Sequence, residues 1–144
     1  FDGRVPGRGG LSELETGLQA ASEVAWARAD QHLEGWRFHQ ALIAIWEFVT
    51  SVNQYIDRTG PWRLAKDDAS RERLGTVLTT ALDAIRQIAL MIGPFMPRSS
   101  DAIHAQLGLA APAAGDTQAR DWTSLPAGHE VPGGPALFPR VEDA

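Results

Sequence analysis

The chain has 144 residues with 44% apolar and 22% charged side chains, a balance that fits one globular domain built around a single apolar core. It has no cysteine, which excludes disulfides and thiolate metal sites, and its four histidines (His32, His39, His104, His129) show neither an i, i+4 pair nor an HExxH spacing. A formal net charge of −5 argues against a general electrostatic binder of nucleic acid, and no run approaches the roughly 18 apolar residues of a membrane span.

Residues 1–10 hold four glycines and one proline and read as a linker or leading loop. No basic segment followed by an apolar one opens the chain, so no secretory signal is expected. A start at Phe1 suggests a piece of a longer polypeptide. Ser12 with Glu15 three positions on is a capping-box signature, and it opens a helix predicted over 12–34. Leu14, Leu18, Ala21 and Ala25 line its apolar face, Trp26 sits at the edge, and Gly35 ends it. A second helix is predicted over 36–58, where Phe38, Leu42, Ile45, Val49, Val52 and Ile56 recur at helical steps. Ala41, Phe48 and Tyr55 widen that face, and Trp46 extends it on the other side.

The stretch Gly60-Pro61-Trp62 then forms a sharp stop. Gly60 suits the left-handed position past a helix, and Pro61 cannot extend that helix but can open a new turn. Trp62 is thereby placed on a rigid corner beside Arg58, Arg63 and Lys66, near a helix N-terminus that favours anions. Two readings stay open: the indole plugs one end of a helical core, or it stacks an unpaired base while the cations hold phosphates. Asn53, near the end of the second helix, is either a surface or capping amide or an amide that orients Trp62 or touches a base. From Asp57 to Arg73 five cations face four acids, so phosphate attraction is secondary to stacking and base-edge hydrogen bonds.

A third helix is expected from Asp68 or Ser70 onward, with Leu74, Leu78, Ala81, Ile85, Ile88 and Ile92 on its apolar face and Gly93-Pro94 as its stop. Phe95 and Met96 read as core filler. Ser99, Ser100 or Asp101 could cap a short helix through Ile103 to Leu107. From Gly108 the composition turns to alanine, proline and glycine, so the expected division is a helical bundle over 1–108 and an irregular tail over 109–144. Trp122, Leu125, Leu137, Phe138 and Val141 are apolar anchors by which that tail would wrap across the bundle or onto a neighbouring domain. The fold class is therefore all-α.

The pattern Asn53-x-Tyr55-Ile56-Asp57-x-x-x-Pro61-Trp62-x-x-Ala65-Lys66 resembles the anticodon-binding helical domain of methionyl-tRNA synthetases, class I aminoacyl-tRNA synthetases. Ile92-Gly93-Pro94-Phe95-Met96-Pro97 looks like that family's PFMP turn, followed by a short helix ending in Gln106-Leu107-Gly108. Leu137-Phe138-Pro139-Arg140-Val141-Glu142 looks like its LFPR(I/V)E closing strand or tail. The resemblance implies a C-terminal part of an enzyme that uses ATP, with Mg, to activate methionine and attach it to its tRNA. Implied partners are the anticodon loop of methionine tRNA and the catalytic domain of the same enzyme, in the cytoplasm. The implied anticodon site is Trp62, with Pro61 fixing its angle, Asn53 second, and Arg58, Arg63 and Lys66 toward phosphates. Two departures accompany it. An asparagine and an arginine on the family's preceding helix have no counterpart here, and the apolar face which that helix covers would be left bare.

No catalytic constellation accompanies these features. There is no GxxxxGK[ST] loop, no GxGxxG after a strand, and no HIGH-like or KMSKS-like motif. Ser12, Ser22 and Ser51 lack interpretable histidine and acid partners, and Asp67-Asp68 suits a helix start. No cofactor and no metal ligand are expected in this chain. The alternatives are a helical protein-interaction or scaffold module, or the same domain of another class I synthetase.

Overall fold

In the computed structural model, which describes residues 1–110, 120–122 and 125–139, the capping box opens helix α1 (Glu13–Glu34). The Ser12 hydroxyl accepts from the Leu14 amide at 3.2 Å, and the Glu15 carboxylate accepts from the Ser12 amide at 2.8 Å. After the turn at residues 35–37 comes α2 (Phe38–Thr59), then a single turn α3 (Pro61–Leu64), a 3-10 turn (Asp68–Ser70), α4 (Arg71–Ile92) and α5 (Pro97–Gln106). Asp67 caps the 3-10 turn, accepting from the Ala69 amide and the Ser70 hydroxyl, so a structural role accounts for it.

Side-chain pairings fix the directions. Glu15 meets Tyr55 and Arg28 meets Glu47, so α1 and α2 are antiparallel. Glu15 meets Arg73 and Trp26 meets Gln87, so α4 runs parallel to α1. The core between them holds Leu18, Ala25, Ala29, Ile45, Phe48, Val52, Val77, Ala84 and Met91, and Ile103 and Leu107 of the α5 region extend it. Alanines at 25, 29, 41 and 44 are all buried, and their small side chains let the helix axes approach.

Three expectations are corrected. On α2 the buried centre is the Ala41, Ala44, Phe48, Tyr55 line with Ile45 and Val52, while Leu42, Val49 and Ile56 are half-buried and Phe38 is half exposed. The small Ala41 and Ala44 side chains permit close helix approach on that face, which shifts the core around the helix. On α4, Leu74, Leu78, Ala81, Ile85 and Ile88 are only half-buried, whereas Thr76, Thr79, Thr80, Asp83, Arg86 and Gln87 are buried. The reason is hydrogen bonding to loop segments. Gly9 N donates to Thr76 Oγ1 (2.9 Å), Thr79 Oγ1 donates to Pro6 O (3.1 Å), and Gln87 Nε2 donates to Arg120 O (2.7 Å). Lastly, α5 starts at Pro97 without a side-chain cap, and Ser100 instead donates from within the helix to Ala89 O at 2.7 Å.

The leading loop is a strap. Val5 is buried, and residues 3–5 pair antiparallel with 128–131 through Val5 N to His129 O, Gly128 N to Val5 O and Val131 N to Gly3 O, at 2.7–2.8 Å. Gly108, at φ 71, passes so close to Glu130 O that a Cβ would lie 2.4 Å from it. Trp122 and Leu137 pack on the core, Leu125 is buried, and Phe138 is exposed. Val141, with the rest of the closing motif from Arg140 to Glu142, lies outside the described residues. Among those residues, Asp68–Ile92 alone is long and apolar enough to cross a membrane, but 67% of that window is buried in the fold, as befits a core helix.

Candidate nucleic-acid interface

α2 ends where Gly60 turns left-handed (φ 54, ψ 60) and returns its amide to Ile56 O at 2.9 Å. Pro61 stands at the first position of α3, as its fixed φ and missing N–H favour. The amides of Arg63 and Leu64 both donate to Gly60 O, and that of Ala65 donates to Pro61 O. With one turn only and those amides in use, α3 offers no helix N-terminus for an anion, contrary to the sequence expectation.

Trp62 is 53% exposed and takes no part in the core. Leu64, two residues further on, is the side chain of this turn that packs against the core. Arg63 folds back over Gly60, where a Cβ would lie 2.4 Å from its Nε, and donates to Arg58 O at 3.4 Å. Its guanidinium thus covers the carbonyl end of α2, a location that favours cations. Lys66 is exposed.

Asn53 is exposed near the last turns of α2, and its amide makes no hydrogen bond among the described residues. Arg58 lies five residues on, about 140° around the helix from Asn53. It points to a groove of about 270 Å³ between α1 and α2, shared with Leu14, Gly17, Ser51 and Gln54. The corner thus collects Pro61, Trp62 and Arg63, while Arg58 departs toward α1.

Beneath the corner lies a node that the sequence reading missed. Glu15 is 0% exposed and accepts from the Ser12 hydroxyl (2.6 Å), the Tyr55 hydroxyl (2.6 Å) and both terminal nitrogens of Arg73 (2.8 Å each). Burial raises the Glu15 carboxyl, but the bonds from Arg73, Ser12 and Tyr55 outweigh it and hold the group down to about 2. Burial and the neighbouring Glu15 push the Tyr55 hydroxyl up, and Glu15 raises Arg73. The capping box was the available signal for Glu15. Tyr55, counted with an apolar stripe, gave none.

A second buried carboxylate lies further along α4. Asp83, 0% exposed, is paired with Arg8 of the strap and lies 3.7 Å from Arg86 Nε. Arg86 also donates to Asp121 O. Burial pushes the Asp83 carboxyl up to about 6, although both arginines pull it down. Trp26 completes this side: its indole N–H donates to Gln87 Oε1 at 2.8 Å, and the Arg120 guanidinium lies 3.8 Å over its ring.

A family model described as the anticodon binding domain of methionyl tRNA ligase matches residues 5–144. The methionine–tRNA ligase of Caldanaerobacter subterraneus subsp. tengcongensis is 35% identical over 147 residues, covering 99% of this chain and 22% of that protein. That of Streptomyces coelicolor is 37% identical over 151 residues, covering 99% of this chain and 28% of that protein. The free-state Mycobacterium tuberculosis methionyl-tRNA synthetase superposes with a TM-score of 0.88 at 32% identity, over 99% of this chain and 29% of that one. The same enzyme bound by methionyl-adenylate superposes with a TM-score of 0.86 over 96% of this chain. The chain thus spans less than a third of the length of these relatives. Matched along nearly its whole length in both sequence and fold, it belongs to the anticodon-binding domain family of methionyl-tRNA ligases.

Proposed function

We propose that the chain is the anticodon-reading part of a methionine–tRNA ligase and recognises the CAU anticodon of methionine tRNA. The supporting observation is Trp62, a 53%-exposed indole held on a braced corner that the core does not use. An anticodon base is already unpaired, so splaying it out costs little, and stacking on an indole contributes about 1–3 kcal/mol. Pro61 sets the angle of the ring, and Asn53 supplies an amide for a base edge. Lys66 is the candidate cation for a phosphate at the corner, and Arg58, turned toward the groove between α1 and α2, is a weaker one. Arg63 serves first as a brace on the end of α2 and second as a charge.

The parent enzyme would attach methionine to tRNA with ATP and Mg in the cytoplasm, and its catalytic domain is the other partner. The sequence motifs and the described residues fit neither ATP nor Mg. The sequence has no phosphate-binding glycine loop, and among the described residues no three His, Asp or Glu side chains converge to hold a metal ion. This part binds and orients; the chemistry belongs elsewhere in the enzyme.

Tryptophan fluorescence, titrated with a CAU anticodon stem-loop, tests the reading. Quenching should depend on the first anticodon base and disappear in Trp62→Ala. Equal responses to a matched and a changed stem-loop, unaffected by Trp62→Ala, would remove Trp62 from recognition.

A further inference from the structure

The segment that carries Trp62, residues 60–70, is held at two feet. One foot is α2, where Tyr55 lies five residues before Gly60 and receives a hydrogen bond on its carbonyl from the Thr59 hydroxyl at 2.7 Å. The other is α4, whose first turns carry Arg73. Both feet end on one carboxylate: the Tyr55 hydroxyl at 2.6 Å and the Arg73 guanidinium at 2.8 Å reach Glu15, which is wholly buried. Glu15 is itself fixed by the capping box of α1. The carboxylate therefore sets the separation of the two helices between which the Trp62 segment is strung, and ties that separation to α1.

We propose that Glu15 is a positioning residue for anticodon binding, acting through Tyr55 and Arg73 on the placement of Trp62. This rests on the stacking role of Trp62 given above. Glu15 touches no RNA in this scheme; it holds the span of the corner fixed, so that the indole meets a base in one orientation. A carboxylate suits the task, because it accepts from a hydroxyl and a bidentate guanidinium together, and an amide at the same place would lose half of that capacity.

The test uses the whole chain labelled with 5-fluorotryptophan, whose five resonances are followed by 19F NMR and assigned by single Trp→Phe variants. Glu15→Gln and Tyr55→Phe are compared with the parent chain, alongside binding of the CAU stem-loop. Tyr55→Phe, which keeps the ring and removes one hydrogen bond, decides alone should Glu15→Gln fail to fold. With helical circular dichroism unchanged, the Trp62 resonance should shift or broaden while those of Trp26 and Trp46 stay. The stem-loop should then bind about tenfold more weakly, the scale of a partly lost stack. A folded Tyr55→Phe whose Trp62 resonance and affinity both match the parent overturns the proposal. So does a moved resonance with unchanged affinity, if Trp62→Ala weakens binding. Should Trp62→Ala itself leave affinity unchanged, the stacking role falls, and the Trp62 resonance alone still decides whether Glu15 positions the corner.

Discussion

Trp26 and Trp62 are the same side chain put to opposite uses. Each follows or sits within a helix and has a guanidinium close by. Trp26 spends its N–H on Gln87 and one ring face on Arg120, so the fold consumes both its polar and its π surfaces. Trp62 gives the fold neither, and the neighbouring Arg63 turns away to the end of α2. The regions around them differ likewise. Along the strapped face of α4, buried Thr79, Asp83, Arg86 and Gln87 are matched to carbonyls and charges of the loops that cross them. At the corner, a rigid backbone presents an indole of which about half is open to solvent. Polar groups in the interior must be answered internally, whereas Trp62 leaves about half of its surface to solvent.

That contrast breaks most severely at Asp83. Asp83→Ala removes the carboxylate paired with Arg8 and Arg86 and strands cationic charge in a buried place, which costs roughly 3–5 kcal/mol. Urea denaturation should show the loss as a lower midpoint. RNA affinity of the protein that remains folded should be unchanged, since Asp83 lies about 15 Å along α4 from Arg73, the residue of that helix nearest the corner. A loss of affinity with an unchanged midpoint would reverse the assignment of the two regions.

Acid sharpens the comparison next, because the two buried carboxylates titrate in opposite senses. The Glu15 carboxyl is held at about 2 in the fold against an ordinary 4.5. Between those values the unfolded chain binds a proton that the folded chain refuses. The contribution of Glu15, on the order of 3 kcal/mol, is complete above pH 4.5 and is lost as pH falls toward 2. For Asp83 the folded value of about 6 lies above its ordinary 3.8, so between them the folded chain holds the extra proton. Its contribution favours folding at low pH and declines as pH rises from 3.8 to 6. Stability measured against pH should flatten on the acid side in Glu15→Gln and between pH 4 and 6 in Asp83→Asn. Unchanged slopes in both variants would mean that neither group carries the pH dependence.

The legible parts of the sequence are the ones written locally. The Ser12–Glu15 box, the Gly60-Pro61-Trp62 corner and the Gly93-Pro94 stop each rest on backbone rules that act within a few residues, and each stands where those rules put it. The faces of α4 were not legible that way. Periodicity ranks Leu74, Leu78 and Ile85 as interior, but Pro6 O, Arg120 O and Asp121 O need donors, and the loops bearing them are set by contacts across 33 to 73 residues. Glu15 shows the same limit within one residue. Its bond to Ser12 is three residues long and visible, while those to Tyr55 and Arg73 span 40 and 58 residues and are not. A tail of Ala, Pro and Gly gave no period at all, yet its described pieces close the polar face.

The smallest effect is the most decisive for the comparison, and it is a paired one. Trp26→Phe keeps an aromatic ring but removes the N–H that satisfies buried Gln87, so it should cost about 1–3 kcal/mol of stability. Trp62→Ala deletes a larger volume, yet the residue is about half exposed and outside the core cluster, so the thermal midpoint should correspond to a change within about 0.5 kcal/mol. The more drastic substitution is thus expected to be the milder one. Differential scanning calorimetry of the two variants decides it. A Trp62→Ala loss as large as that of Trp26→Phe would mean that the indole holds the corner together, and that its exposed face is a by-product of packing. The expected order, with the stability loss in Trp26→Phe and the binding loss in Trp62→Ala, would separate the tryptophan that makes the fold from the one that the fold holds out for RNA.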